Sequence, residues 1–284
     1  MPQSMRGRAA GVERKRTNPR YDRGVTRLDL ILASFILAAL GAPGHAAEVP
    51  CHFDAGVIVV PAEVAGIAGD YILDTGSART MLHETLAQTA GIEATEILGD
   101  VVLAGHRTMG LPLTIVDLDV RTWNLPTVGA GVIGADVLRD FVVDVSFAPC
   151  RVRLSSREDA PSFRGRSLGM GWDQGRPTVM ASISDDARQI TGTFVVATGA
   201  NAPIRLADDL AGPEPGASPE LYPQGVWLAR LPQVRFAGRT GRDVAAGLMK
   251  PDGDIVGVLG AALLANFRLR FDFPAGRLIV APSR

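Results

Sequence analysis

Short apolar runs, many of them β-branched, recur from residue 50 onward, with glycine, proline and polar pairs between them. Runs of four to eight such residues bounded by turn residues predict buried strands rather than helices. Val57–Val64 and Tyr71–Leu73 predict two strands with a turn over Gly66–Asp70. Thr80–Ala90 predicts a short helix stopped by Gly91. Ala94–Leu103, with Gly99-Asp100 inside it, predicts a hairpin, and Val116–Val128 carries the chain across to Val132. There an apolar strand is broken by Gly134 and followed by a helical segment, Asp136–Phe141. Val142–Phe147, a turn at Ala148-Pro149 and Arg151–Leu154 predict a closing hairpin. The polar stretch Ser155–Arg166, with its proline and glycine, predicts a linker.

Beyond the linker the pattern starts again, which is the signature of an internal repeat. Thr193–Ala200 echoes the stretch that ends the strand at Leu73, at an offset of 123. Val258–Phe267 echoes Val132–Phe141 at an offset of 126. A closing hairpin follows again, Leu269–Phe273 and Arg277–Val280 around Pro274-Ala275-Gly276. Gly212–Gly225, rich in proline and glycine, predicts a loop, and Trp227–Phe236 predicts the second half's hairpin.

Candidate chemistry sits where the strand at Tyr71–Leu73 ends in Asp74-Thr75-Gly76-Ser77. A carboxylate at the end of a buried strand is costly to ionise unless donors surround it. Hydroxyls and the amides around a glycine are such donors, and glycine also permits φ > 0 and close approach. Asp-Thr-Gly alone equally fits a turn after a strand. The second element is Val132-Ile133-Gly134, sixty residues after the acid, followed by a closing hairpin. Together these motifs resemble a lobe of the retropepsin-like aspartic peptidases, over roughly residues 50–155, with a degraded second copy over most of the rest.

The resemblance implies a mainly β fold: two similar retropepsin-like closed β lobes facing across a cleft, with few short helices. It implies domains at 47–155 and 167–284, joined by a linker at 156–166. Asp74 is then the catalytic carboxylate, with Thr75, Gly76 and Ser77 as its supporting loop. Ser77 is expected to bond to the Asp74 carboxylate. Thr75 and Thr198 are expected to lock the two loops together, with Gly199 permitting the approach. Gly99 lies at the distance where a flap would close over a substrate, although an ordinary surface hairpin fits as well.

Aspartic peptidases use two carboxylates sharing one proton, one as base toward a water and one as acid toward the scissile carbonyl. The mate expected for Asp74 is Ala197. Asn201 is near the motif but cannot protonate, and Asp185, Asp186, Asp208 and Asp209 fall outside it. Three readings stay open. The first is an aspartic-type endopeptidase, active as a homodimer that pairs two copies of Asp74. The second is an inactive pseudo-peptidase binding an extended peptide in the cleft. The third is a different hydrolase on the same scaffold. The partner implied is an extended peptide or protein, with no cofactor or metal.

Composition narrows the setting. A basic stretch ending at Arg27, the apolar run Leu28–Leu40 and small residues near Ala46 predict a signal peptide over 1–46. Thirteen residues are too few to cross a bilayer comfortably, so the segment predicts export, periplasmic or secreted, rather than an anchor. Loss of 1–46 removes eight basic and three acidic residues, leaving 21 and 27, a net of −6. That balance, without a basic tract, argues against nucleic-acid binding. Cys51 and Cys150 predict one disulfide in an oxidising compartment, against two buried thiols. His45, His52, His83 and His106 show no metal-site spacing, and no nucleophile elbow or phosphate loop is present. Asp136, Asp144 and Asp272 are expected to satisfy turns or face water, and Trp123, Trp172 and Trp227 to line core or cleft.

Overall fold

A computed structural model describes residues 48–184, 189–207, 220–222, 225–250 and 252–283. The first half contains β1 (Glu48–Pro50), β2 (His52–Asp54), β3 (Val57–Val64), β4 (Ile67–Leu73), β5 (Met81–His83) and helix α1 (Glu84–Thr89). It continues with β6 (Glu96–Leu103), β7 (His106–Val116), α2 (Asp119–Thr122), β8 (Gly129–Ile133), α3 (Ala135–Leu138), β9 (Val142–Phe147) and β10 (Cys150–Ser155). The second half runs through β11 (Arg166–Gly169), β12 (Gly171–Asp173), β13 (Arg176–Ser184), β14 (Gln189–Ala197), β15 (Ile204–Ala207) and β16 (Glu220–Tyr222). It ends with β17 (Gly225–Phe236), β18 (Arg239–Met249), β19 (Ile255–Gly260), α4 (Ala261–Leu264), β20 (Phe267–Asp272) and β21 (Arg277–Pro282).

Each half closes a ring of six strands. In lobe one the order is β3-β4-β8-β5-β7-β6, with β6 pairing back onto β3. In lobe two it is β13-β14-β19-β15-β18-β17, with β17 pairing back onto β13. Closure leaves few strand edges open within a ring, and each lumen is filled by alternating apolar side chains. Ile58, Val60, Tyr71 and Leu73 fill lobe one; Phe194, Val196, Ile204 and Leu259 fill lobe two. In both rings the strand that carries the candidate loop runs parallel to the strand before the glycine, β4 with β8 and β14 with β19.

A third sheet joins the lobes, in the order β1-β10-β9-β20-β21-β11. At its centre β9 pairs antiparallel with β20, so each half contributes the strands next to the junction. Asp144 on β9 and Arg270 on β20 form a two-bond ion pair across it, at 2.6 and 2.7 Å. Asp144 is thus a lobe-to-lobe partner rather than a turn residue, and Asp272 is likewise paired with Arg277 at 2.5 Å. Cys51 and Cys150 form a disulfide that ties the start of lobe one to its closing hairpin.

Tertiary pairing moves several predicted boundaries. The residues Thr80–His83, expected in a helix, are mostly strand: Leu82 is fully buried where β5 pairs with β7 and β8, and α1 starts only at Glu84. The turn expected over Gly66–Asp70 is confined to Ala65-Gly66, because Ile67–Asp70 already pair with β3. Gly99 is neither hinge nor tip. It lies inside β6 at a bulge, and a Cβ there would meet Leu113 at 2.6 Å and Ala65 at 2.9 Å. The hairpin turns instead at Ala104-Gly105, both with φ near that of left-handed helix, +48° and +73°. That tip is tucked in, since Ala104 is buried and His106 Nε2 lies 3.2 Å from the Leu154 carbonyl oxygen. No flap is therefore formed by β6 and β7. Trp123 and Trp172 are 64% and 43% exposed, so Trp123 lines no core. The apolar run Leu28–Leu40, most of Gly212–Gly225 and the side chain of Trp227 lie outside the described residues. Among the described residues no helix is long and apolar enough to cross a membrane.

Candidate active site between the lobes

The end of β4 meets the end of β14 where the two rings face each other. Leu73 is fully buried and pairs with Ile133, and the Asp74 amide donates to the Ile133 carbonyl at 2.9 Å. The loop after Asp74 is pinned to α3: Ala135 N–H donates to the Ser77 carbonyl at 2.7 Å. Thr80 completes the anchor, its hydroxyl and amide donating to the Asp136 carboxylate at 2.7 and 2.9 Å. Asp136 therefore braces the loop from below. In lobe two the matching bond runs from Ala261 N–H to the Ala200 carbonyl at 2.9 Å.

Two threonines cross-link the loops. The Thr75 hydroxyl donates to the Val196 carbonyl at 2.6 Å and accepts from the Thr198 amide at 3.2 Å. The Thr198 hydroxyl donates to the Leu73 carbonyl at 2.6 Å and accepts from the Thr75 amide at 3.1 Å. Both side chains are fully buried. Four bonds related by an approximate two-fold axis satisfy both hydroxyls and both amides, so the interface has no unpaired polar group at its centre.

The same axis relates the two glycines. A Cβ on Gly199 would lie 2.4 Å from Asp74 Cβ, and a Cβ on Gly76 would lie 2.4 Å from Ala197 Cβ. Glycine is required in both places by this approach. Ala197 consequently stands to Gly76 as Asp74 stands to Gly199: its methyl occupies the place a second carboxylate would take.

The Asp74 side chain is 7% exposed and its two oxygens are held differently. Oδ1 accepts from the amides of Gly76 at 2.8 Å and Gly199 at 3.1 Å. Oδ2 accepts from Arg121 Nη2 at 2.7 Å, and the same nitrogen lies 3.4 Å from the Gly199 carbonyl oxygen. Ser77 makes no bond to this carboxylate, contrary to expectation. Its hydroxyl points back along the loop and donates to the Arg79 carbonyl at 2.9 Å. Two backbone amides and a guanidinium already supply what Ser77 would have given.

Arg121 was not legible as a site residue. It belongs to α2, a single turn in the stretch between β7 and β8, and it reaches Asp74 across 47 residues of chain. The turn is braced at its other side. Asp119, its first residue, lies 3.1 Å from His83 Nε2, while His83 Nδ1 accepts from the Thr85 amide at 3.4 Å. His83, Asp117 and Asp119 bring three ligand-type atoms within 4.8 Å of one another, with both carboxylates exposed. Each of the three already serves the turn, since Asp117 accepts from the Asp119 amide at 2.8 Å. The cluster is accounted for as the clamp that aims α2 at Asp74.

Beside Asp74 opens a cavity of about 420 Å³, lined among others by Asp74, Val120, Arg121, Ala197, Arg205 and Val258. Arg205 sits on β15 between the buried Ile204 and Leu206, and its Nη2 lies 3.3 Å from the Asn201 side-chain oxygen. A cation within an apolar strand was the available signal for it. Burial, and then the neighbouring Arg121, hold the Arg205 guanidinium below its usual range, with Asp74 opposing. Arg176, also on the lining, is engaged by Asp173 and by Asp252 at 2.7 Å. Asp185, Asp186, Asp208 and Asp209 lie outside the described residues.

Chemically, the arrangement presents one ionisable oxygen pair facing a cation and a methyl group. Among the described residues no second carboxylate lines the cavity. No curated protein matches the chain. Residues 60–147 match the family described as Aspartyl protease, a span from β3 to the end of β9 that includes the whole Asp74–Ser77 loop and Gly134. That stretch is similar to the family, and the two closed six-strand lobes fit a tandem retropepsin-like arrangement.

Proposed function

We propose that the protein is a peptidase-like binder: its inter-lobe cleft takes up a peptide segment and does not cleave it with a one-chain aspartic dyad. The observation that carries this reading is the pairing of Asp74 with Arg121 opposite the Ala197 methyl. A lone carboxylate can polarise water, but a second group must protonate the leaving amine, and such help is worth roughly 10²- to 10⁴-fold. Arg121 cannot supply it, because a guanidinium does not give up its proton in the accessible range. The cation also holds the oxygen that would have to accept a proton from water.

A homodimer pairing two Asp74 side chains is disfavoured by the same geometry. The face of the Asp74 loop that a second copy would need is filled by the protein's own Thr198 loop, through four buried bonds. Breaking them would strand two hydroxyls and two amides, at about 1–3 kcal/mol for each group left unsatisfied. The retained fold supports a retained use: two lobes, their cross-linked loops and the cleft are kept while one acid is not. An exported location belongs to the same proposal, supported by the Cys51–Cys150 disulfide and by the residue pattern of 1–46.

The test combines two measurements on the full chain. An unfolded, carboxymethylated protein is incubated with it from acidic to neutral pH, and products are followed by mass spectrometry. A labelled photo-crosslinking peptide is then bound, and the attachment sites are mapped. The expected outcome is no cleavage that disappears with Asp74→Asn, together with crosslinks on the cavity lining. Cleavage abolished by Asp74→Asn would sink the binding reading and restore the catalytic one.

A further inference from the structure

Deepening the cleft-binding reading, on which it rests, we propose that the cavity beside Asp74 is a carboxylate-binding pocket: it selects peptides that place an acidic group between Arg121 and Arg205.

Three observations lead there. The first is charge. Asp74 offsets Arg121, and Asp173 and Asp252 offset Arg176, so the three arginines of the lining are not equally free. Arg205 lines the same space, and its partner among the described residues is the neutral side-chain oxygen of Asn201. The lining itself thus carries three guanidinium groups and one carboxylate where an active peptidase would carry two carboxylates, and Arg205 is the one without an ion pair among the described residues.

The second is desolvation. Burial and the nearby Arg121 both disfavour the Arg205 cation. An anion entering the cavity offsets both penalties at once, whereas a neutral amide can accept a hydrogen bond but cannot cancel the repulsion between the two cations. Guanidinium groups present parallel N–H donors that fit a carboxylate with two bonds, and this geometry adds selectivity to the charge.

The third is shape. The Ala197 methyl is smaller than a carboxylate side chain and borders the cavity, and Val120, Val195 and Val258 line it with apolar surface. A side chain with a short aliphatic stem and a carboxylate tip, or a chain terminus beside an apolar residue, matches that lining. The loss of the second acid and the presence of Arg205 then form one change: removing a negative charge from the cleft is what allows a ligand's negative charge in. Asp74 becomes the internal counter-ion that keeps Arg121 in place until the ligand competes for it.

The probe is a short fluorescent peptide of alternating valine and threonine with one central glutamate, measured by anisotropy against its glutamine counterpart. Each is made with a free and an amidated C-terminus, which separates a side-chain carboxylate from a terminal one. Wild type is expected to bind one of the carboxylate forms about tenfold more tightly than the fully neutral peptide at low salt, with the gap narrowing at high salt. Arg205→Gln is expected to abolish the gap, and Arg205→Lys to restore part of it, since charge returns without the fork. Asp74→Asn is expected to strengthen carboxylate binding severalfold by releasing Arg121. This variant and the salt series on wild type stand even if Arg205→Gln fails to fold. Equal binding of neutral and acidic peptides, unchanged by Asp74→Asn, would overturn the pocket while leaving cleft binding intact. If none of the peptides binds, the cleft-binding reading and the pocket fall together.

Discussion

The loops at Asp74–Ser77 and Ala197–Ala200 share a backbone and differ in their chemistry. Each glycine packs against the first residue of the opposite loop at the same distance, and each threonine makes the same pair of bonds. Only one loop carries a carboxylate. The comparison teaches that the interface and the catalytic acid are separable. The threonines and glycines hold two rings together through backbone groups, so they stabilise the interface whether or not an acid stands beside them. An acid at the head of the loop is indispensable only for chemistry, and burying it costs stability unless donors surround it. In lobe one those donors exist, two amides and Arg121; in lobe two a methyl removes the need for them.

The two lobes differ also in their ties, and breaking these should have the largest effect. The disulfide closes lobe one at a sequence separation of 99, and it is the chain's only cysteine pair. Replacing both cysteines by alanine is expected to lower stability by about 4 kcal/mol, read from urea denaturation. Reductant should then shift the wild-type curve and leave that of the variant unmoved.

Restoring chemistry to lobe two comes next. Ala197→Asp combined with Arg121→Ala should set two carboxylates across the axis without the cation between them. Cleavage of an unfolded protein at acidic pH is expected about 10²-fold above wild type, roughly 3 kcal/mol in barrier height. Ala197→Asp alone should gain less, because Arg121 still engages Asp74. If the double variant stays inert while folding normally, Ala197 does not occupy the mate's place.

The symmetry of the cross-link predicts equal losses. Thr75→Val and Thr198→Val each remove one donor and one acceptor and leave buried backbone groups unpaired. Each should cost about 2–3 kcal/mol, and the double variant less than the sum, since the two hydroxyls serve one network. Unequal losses would show that the axis is not a functional symmetry.

A smaller effect belongs to the hairpin of β6 and β7. The Gly110 amide, and then Arg107, hold the Asp100 carboxyl below the usual carboxylate range. The stabilisation from this group is present above its unfolded pKa and is lost as pH falls through the lowered folded value. The Asp100 side chain is partly open to solvent, which screens its interactions, so Asp100→Asn should leave the neutral-pH melting curve almost unchanged and slightly flatten its acid limb.

The succession of strands along the chain and the repeat were legible because they rest on local patterns, and the pairing of Thr75 with Thr198 followed from the resemblance that those motifs carry. A strand ending in Asp-Thr-Gly and a strand ending before a glycine each declare themselves within a dozen residues, and the offsets of 123 and 126 align the halves. Hairpin turns were less legible. Gly99 looked like a tip because glycine before aspartate commonly turns, yet there it accommodates Leu113 and Ala65 within a strand. Met81–His83 looked helical beside α1, yet pairing with β7 and β8 decided otherwise.

By itself, the amino-acid order determined two similar halves rich in strands, the motifs whose resemblance implies closed lobes with cross-linked loops, and the absence of a second acid at position 197. Tertiary structure alone decided what faces Asp74. Arg121 reaches it only because the path from β7 to β8 folds one turn over the cleft, clamped by His83, and Ser77 turns away because amides from both lobes fill its role. The physical reason is one of range: periodicity reports which way a side chain points from its own strand, whereas an ion pair depends on where two distant loops come to rest.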